Sequence, residues 1–199
     1  MKPLVLASTS PYRRELLARL RLPFEAVAPA YAEGPVPGLS PTELALRHAV
    51  GKARSVAAAF PGRLVIGSDQ VAEVEGELLG KPGTEEAALG QLARMAGRRV
   101  VFHTGLAVVA GGRVESLVES FAVRLRALPR EALRAYVARE LPLDTAGSFQ
   151  IEGLGIALME GLEGRDYTAL IGLPLIALTE LLGRFGLDVL RPGPRQSGG

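Results

Sequence analysis

The feature that most restricts the fold is a pair of long β-rich runs, residues 100–109 and 114–125, separated by Gly111 and Gly112. Valine is the commonest residue of both runs, and paired glycines supply the positive φ angles of a tight hairpin turn. An antiparallel ribbon of this length is too apolar to stand alone, so other elements must cover it. Strand and helix signals alternate around it. Residues 4–7 read as a buried strand, and Pro11 opens a helix behind Ser10 as N-cap, with Leu16, Leu17 and Leu20 on one face. A second strand at 24–28 leads into a Pro/Gly-rich loop over 29–41, after which Ser40 and Glu43 form a capping box for a helix to about Ala59. Residues 64–68 are strand-like, and 71–79 resemble a hairpin turning at Glu75-Gly76. Thr84 caps a helix to Met95, a further helix spans 129–139, a Gly-rich stretch covers 146–155, and a last helix spans 174–185. The mixture predicts an α/β protein with a mixed sheet, two lobes and a central cleft over residues 1–190. The Pro/Gly/Ser-rich tail, 191–199, reads as disordered.

Composition narrows the function classes. With 199 residues, 48% of them hydrophobic, the chain can bury a full core. No apolar run approaches the roughly 20 residues that span a bilayer. The start, Met1 to Ala7, lacks a signal-peptide cleavage site, so a cytoplasmic protein without a membrane partner is expected. There is no cysteine, hence neither a disulfide framework nor a thiol nucleophile. A net charge of only +2 and an aromatic content of 5%, unclustered, argue against a nucleic-acid partner. Only three of the 23 basic residues are lysine and only four of the 21 acids are aspartate. Against that background Lys52, Lys81 and Asp69 stand out.

Three motifs carry chemistry. In Ser8-Thr9-Ser10-Pro11-Tyr12-Arg13-Arg14 a strand runs into a helix start, where free amides and the positive end of the helix dipole suit an anion. The hydroxyls of Ser8 and Ser10 add donors, and Arg13 and Arg14 can grip phosphate oxygens bidentately. Ile66-Gly67-Ser68-Asp69-Gln70 places a carboxylate where a strand is expected to end, suited to holding Mg²⁺ or orienting water. Gly80-Lys81-Pro82, with Lys52 upstream, offers point charges for phosphate. The bland alternatives are an ordinary helix cap, an acid in a turn and a solvated lysine. His48 and His103 lack partners at metal-ligand spacing and read as structural.

Taken together these segments resemble the Maf family of nucleoside triphosphate pyrophosphatases. Thr104-Gly105, Ala146-Gly147, Gly161 to Gly164 and Gly172-Leu173-Pro174-Leu175 complete the ordered set, from residue 4 to about 185. The resemblance implies a fold similar to the inosine-triphosphate pyrophosphatases, a divalent cation (Mg or Mn), a nucleotide substrate and a homodimer. It assigns Asp69 as general base, Ser8, Arg13, Arg14, Lys52 and Lys81 to phosphate, and Glu33, with Asp69, to the metal. The family often has a second acid where this chain has Ala32. Tyr12, Gln70 and Glu152 depart from the branch that takes dTTP and UTP, and look like the 7-methyl-GTP branch, which usually carries Trp at the place of Tyr12. Guanine offers N1–H and N2–H₂ to a carboxylate such as Glu152, and N7 methylation makes the base a cation that an aromatic ring can stack on. The expected reaction is therefore hydrolysis of 7-methyl-GTP to the monophosphate and pyrophosphate. A dTTP/UTP pyrophosphatase and a nucleotide-binding regulator of septum formation are the alternatives.

Overall fold

The computed structural model describes residues 4–191, so the sequence-based expectation for the tail lies almost wholly outside the described residues. Among the described residues seven strands form one mixed sheet. They are β1 (Leu4–Ala7), β2 (Phe24–Val27), β3 (Val65–Val74), β4 (Glu77–Leu79), β5 (Arg99–Ala110), β6 (Arg113–Leu125) and β7 (Met159–Glu163), in the order β2-β1-β3-β5-β6-β7, with β4 also on β3. β1 pairs in parallel with β2 and β3, and the remaining pairings are antiparallel. The helices are α1 (Pro11–Ala18), α2 (Pro41–Ala57), α3 (Glu85–Met95), α4 (Arg130–Glu140), α5 (Tyr167–Ile171) and α6 (Leu175–Arg184).

The long hairpin forms as its sequence demands, β5 and β6 pairing in unbroken register from Arg99↔Arg124 to Ala110↔Arg113. Ser40 and Glu43 close the expected capping box on α2, and Thr84 caps α3. Three elements escaped the sequence reading: the edge strand β7, the short helix α5 and a 3₁₀ helix at Leu154–Leu158, all embedded in glycine-rich sequence with too few residues to show a period. One expectation is corrected. β3 does not end near Asp69 but continues to Val74, because β5 pairs with it residue for residue, Asp69↔Gly105 and Gln70↔Thr104 included. Ser68-Asp69-Gln70 imitates a turn in sequence, yet each of these side chains finds a partner beside the strand.

Among the described residues three clusters fill the space between sheet and helices. Val5, Ala7, Val65, Ala107 and Val109 pack with Ala49, Ala53 and Val56 of α2. On the other face Leu6, Ile66, Leu106 and Val108 pack with α1 and α6, whereas Ala72, Val74, Val100 and Phe102 at the far end pack with α3 and α4. The middle of β3 and β5 belongs to none of these, and that is where the polar residues lie.

Close approach of α2 decides what reaches that middle. Ala45, Ala49 and Ala53, spaced by four, face the sheet and are fully buried. Opposite them stand Gly67 of β3 and Gly105 of β5. A Cβ on Gly67 would lie 2.2 Å from the Ala49 carbonyl oxygen, and one on Gly105 would lie 2.2 Å from that of Ala45. Helix and sheet thus meet backbone to backbone, closer than two ordinary surfaces allow. Gly105→Ala should therefore destabilise the protein by roughly 1–3 kcal/mol through overpacking. Gly90→Ala in α3, where nothing lies within 4 Å of the new Cβ, should stabilise it by about 0.5–1 kcal/mol. Denaturant midpoints of the two variants against wild type check this. Equal midpoints would contradict the packing account.

Candidate active site

Because α2 lies flush on Gly67 and Gly105, Lys52 of that helix is carried to the sheet and is only 5% exposed. A buried ammonium needs anionic partners, and it has two. Lys52 Nζ donates to Asp69 Oδ1 at 2.7 Å and lies 2.8 Å from Glu33 Oε1. Asp69, 7% exposed, projects from the α2 face of β3, while Glu33 comes from the loop after β2. Burial works against the charge of Glu33. The hydrogen bond and charge of Lys52, its contact with Asp69 and the charge of Arg13 nevertheless hold it below the usual carboxylate range. Arg13, in the first turn of α1, is anchored by Nε donating to the Gly172 carbonyl at 2.8 Å. Burial pulls its pKa down, and the nearby Asp69 and Glu33 oppose that. Two carboxylates and two cations thus share one cluster, in which Lys52 and Asp69 are buried, Arg13 is half-buried and Glu33 is exposed.

The edge of β3 next to this cluster is open. β1 pairs only at Val65 and Ile66 and β4 only from Ala72 to Val74, leaving residues 67–71 partnered by β5 alone among the described strands. At the end of β1 the chain turns through Ser8 and Ser10 into α1, so the strand's carboxyl end faces the gap, the usual side for ligands in such sheets. Ser8 Oγ accepts from the Ser10 amide at 3.1 Å, and Ser10 Oγ accepts from the Arg13 amide at 3.4 Å. Ser10 therefore caps the helix, which leaves the Ser8 hydroxyl proton and the helix dipole to meet an anion.

Successive side chains of a strand point to opposite faces, so Ser68 and Gln70 face away from α2. Gln70 Nε2 donates to the carbonyls of Ala169 at 2.8 Å and Leu170 at 3.0 Å. Thr104 Oγ1 also donates to Ala169 O, and Ser68 Oγ lies 2.9 Å from the carbonyls of both Gly105 and Gly172. A small pocket opens over Gln70, walled by Tyr12, Phe102, Ala146, Phe149, Glu152 and Ile171. Burial, then the charges of Glu152, Asp144 and Glu140, push the Tyr12 phenol above its ordinary range. Beneath the pocket Tyr136 Oη accepts from the Gln150 amide, and its phenol is pushed up to about 12, chiefly by burial.

Of the residues singled out in the sequence, Asp69, Lys52, Glu33 and Arg13 come together, with Ser8 and Ser10 at the turn into the helix bearing Arg13. Tyr12, Gln70 and Glu152 line the separate pocket on the other face of β3. Lys81 and Arg14 are exposed, and among the described residues no bond or ion pair joins either side chain to the Asp69 cluster. His103 crosslinks strands, bonding to Ser120 Oγ at 2.8 Å and Glu73 Oε1 at 3.1 Å. The sequence reading missed Asp166. Its carboxylate accepts from the Thr168 amide at 2.9 Å and the Ile176 amide at 2.7 Å, fixing the α5–α6 corner whose carbonyls receive Ser68, Gln70 and Arg13. The scarcity of aspartate was the one signal that could have drawn notice to it.

The model of the family described as Maf-like protein matches residues 3–185. Proteins named 7-methyl-GTP pyrophosphatase are among the similar ones. That of Bordetella pertussis is 56% identical over 191 residues, covering 96% of each chain. That of Syntrophotalea carbinolica is 52% identical over 193 residues, covering 96% of this chain and 98% of the other. Among solved structures, the Staphylococcus aureus Ham1 protein aligns over 63% of this chain and 73% of its own, with 18% identity and a TM-score of 0.44. With a family match across nearly the whole described chain, and relatives more than half identical from end to end, the chain belongs to the Maf-like protein family.

Proposed function

We propose that this protein hydrolyses a nucleoside triphosphate, 7-methyl-GTP, between the α and β phosphates, releasing the monophosphate and pyrophosphate. The observation that carries the proposal is the Glu33–Lys52–Asp69 cluster at the open edge of β3, with the Tyr12–Glu152 pocket on the opposite face of that strand. The printed name of its relatives supports the choice of nucleotide.

Asp69 is the base in this scheme. Oδ1 is held by Lys52, and Oδ2 accepts a proton from water as the remaining hydroxide oxygen bonds to the α phosphorus and the bond to the bridging oxygen breaks. Lys52 and Arg13 neutralise charge that builds on the departing pyrophosphate, and the turn at Ser8 and Ser10 binds phosphate oxygens. Arg14 and Lys81 extend the phosphate grip from their exposed positions. The donor set fits a divalent cation, Mg²⁺ or Mn²⁺. Two carboxylates, Glu33 and Asp69, are what such a site commonly takes from protein when substrate phosphates and water complete the shell, and no group of three acidic or imidazole ligands occurs among the described residues. A bound cation would supply further neutralisation of the triphosphate.

In the base pocket, Glu152 accepts from the guanine edge, Tyr12 stacks on the cationic ring, and Gln70 forms the floor. Uracil and thymine offer carbonyls beside a single N–H, so the Glu152 carboxylate disfavours them. The family resemblance also brings a homodimer into the proposal, and composition and charge bring a cytoplasmic setting and no nucleic-acid partner. Residues 1–190 are taken as one domain, since a single sheet runs past all three cores.

Hydrolysis in ¹⁸O-water should place the label in the nucleoside monophosphate, with pyrophosphate unlabelled; nucleoside diphosphate as the main early product would overturn the proposal. Asp69→Asn should lower kcat by on the order of 10²–10⁴ with nucleotide binding by calorimetry little changed, and a near-normal kcat would remove Asp69 from its role. In kcat/KM ratios, Tyr12→Ala should narrow the lead of 7-methyl-GTP over GTP by about 0.5–2 kcal/mol. Glu152→Gln should narrow its lead over dTTP and UTP by about 1–3 kcal/mol. Unchanged ratios would mean that these side chains do not read the base.

A further inference from the structure

Glu33 sits in the connection between β2 and α2, residues 28–40, which contains neither helix nor strand. Gly34, Pro35, Pro37 and Gly38 follow it directly, and 51% of its side chain is exposed. A carboxylate on such a segment would sample many positions, since no regular backbone bonding holds it. One attachment lies two residues before it. Tyr31 Oη is 3.0 Å from His48 Nδ1, and the two rings meet edge to face with centroids 5.7 Å apart. His48 is 5% exposed and stands one helical turn before Lys52 on α2. The tyrosine ring rests on Gly51, where a Cβ would lie only 2.1 Å from the ring. A glycine inside a helix costs about 0.5–1 kcal/mol relative to alanine, and here the missing side chain is the seat for the ring. Residues 48, 51 and 52 share one helix face. Two residues of chain reach about 7 Å at most, so fixing Tyr31 confines Glu33 to the neighbourhood of Lys52.

We infer that Tyr31 is a positioning residue: clamped on Gly51 and His48, it holds the Glu33 carboxylate against Lys52 and beside Asp69. The inference rests on the proposed function for the value of that carboxylate pair. Tyr31 touches no reacting atom and acts only through Glu33. Its ring contributes more than its hydroxyl, because Tyr31→Phe keeps the seat on Gly51 whereas Tyr31→Ala and Gly51→Ala both destroy it.

Two measurements on the full chain test the clamp. Hydrogen exchange of residues 30–36, without nucleotide or metal, should quicken by roughly tenfold or more in Tyr31→Ala and Gly51→Ala, and by less in Tyr31→Phe. Exchange in the middle of β5 should not change. Gly51→Ala should keep or raise the Tm while loosening the loop, a combination that loss of general stability cannot produce. In turnover of 7-methyl-GTP with Mg²⁺, Tyr31→Ala should lower kcat/KM by roughly 10–100-fold, the scale of a misplaced catalytic group. The double variant Tyr31→Ala/Glu33→Gln should be no slower than Glu33→Gln alone. Unchanged exchange in both Tyr31→Ala and Gly51→Ala, or losses that multiply in the double variant, would overturn the inference. A wild type that turns over no nucleoside triphosphate would instead count against the proposed function, and the exchange measurement would still decide the clamp.

Discussion

The charge cluster of the candidate site depends on how closely α2 approaches the sheet. Without Cβ atoms at Gly67 and Gly105, the Ala45–Ala49–Ala53 stripe settles against β3 and β5, and Lys52 is delivered to Asp69 at hydrogen-bond distance. The charge cluster is in turn a condition of the packing. A lysine buried to this depth is tolerable because two carboxylates meet it, and breaking such a buried pair by removing one partner typically costs about 3–5 kcal/mol. Fold and chemistry therefore share the same few residues.

The alternation of a β-strand organises the rest. Asp69 and Gln70 are neighbours in sequence, yet one faces α2 and the charge cluster while the other faces α5 and the pocket with Tyr12 and Glu152. β1 stops short and β4 starts late along the same edge of β3, which leaves residues 67–71 open on that edge. A ligand with an anionic tail and a flat cationic head would suit that arrangement, its charge on one side and its ring on the other. The α5–α6 corner, fixed by Asp166, supplies the carbonyls that lock Ser68, Gln70 and Arg13 in place.

Legibility in the sequence followed the physics of each element. The hairpin around Gly111-Gly112 and the capping box at Ser40 and Glu43 carry local signals, and both form where those signals lie. Polar identity misled at Asp69, since Ser68-Asp69-Gln70 looks like a turn until the pairing strand is known. β7 and α5 are too short for a period to emerge. The Asp69, Lys52, Arg13 and Glu33 grouping was visible only as a family pattern, because their spacing in the chain says nothing of the contact through α2. Gly51, Gly67 and Gly105 act by leaving space, and a missing side chain does not declare which neighbour needs the room. Lys81 marks the reverse case: it stands out in composition but is exposed, unjoined to the cluster among the described residues.

In the proposed reaction one strand presents a phosphate-cleaving cluster and a pocket for a cationic guanine on its two faces. The most direct test is wild-type kcat/KM for pyrophosphate release from 7-methyl-GTP, GTP, dTTP and UTP, side by side with Mg²⁺ and with Mn²⁺. The account predicts 7-methyl-GTP first, GTP behind it and both pyrimidine nucleotides last, with no turnover once the cation is chelated. A preference for dTTP or UTP would contradict it, however well the Asp69 cluster performs.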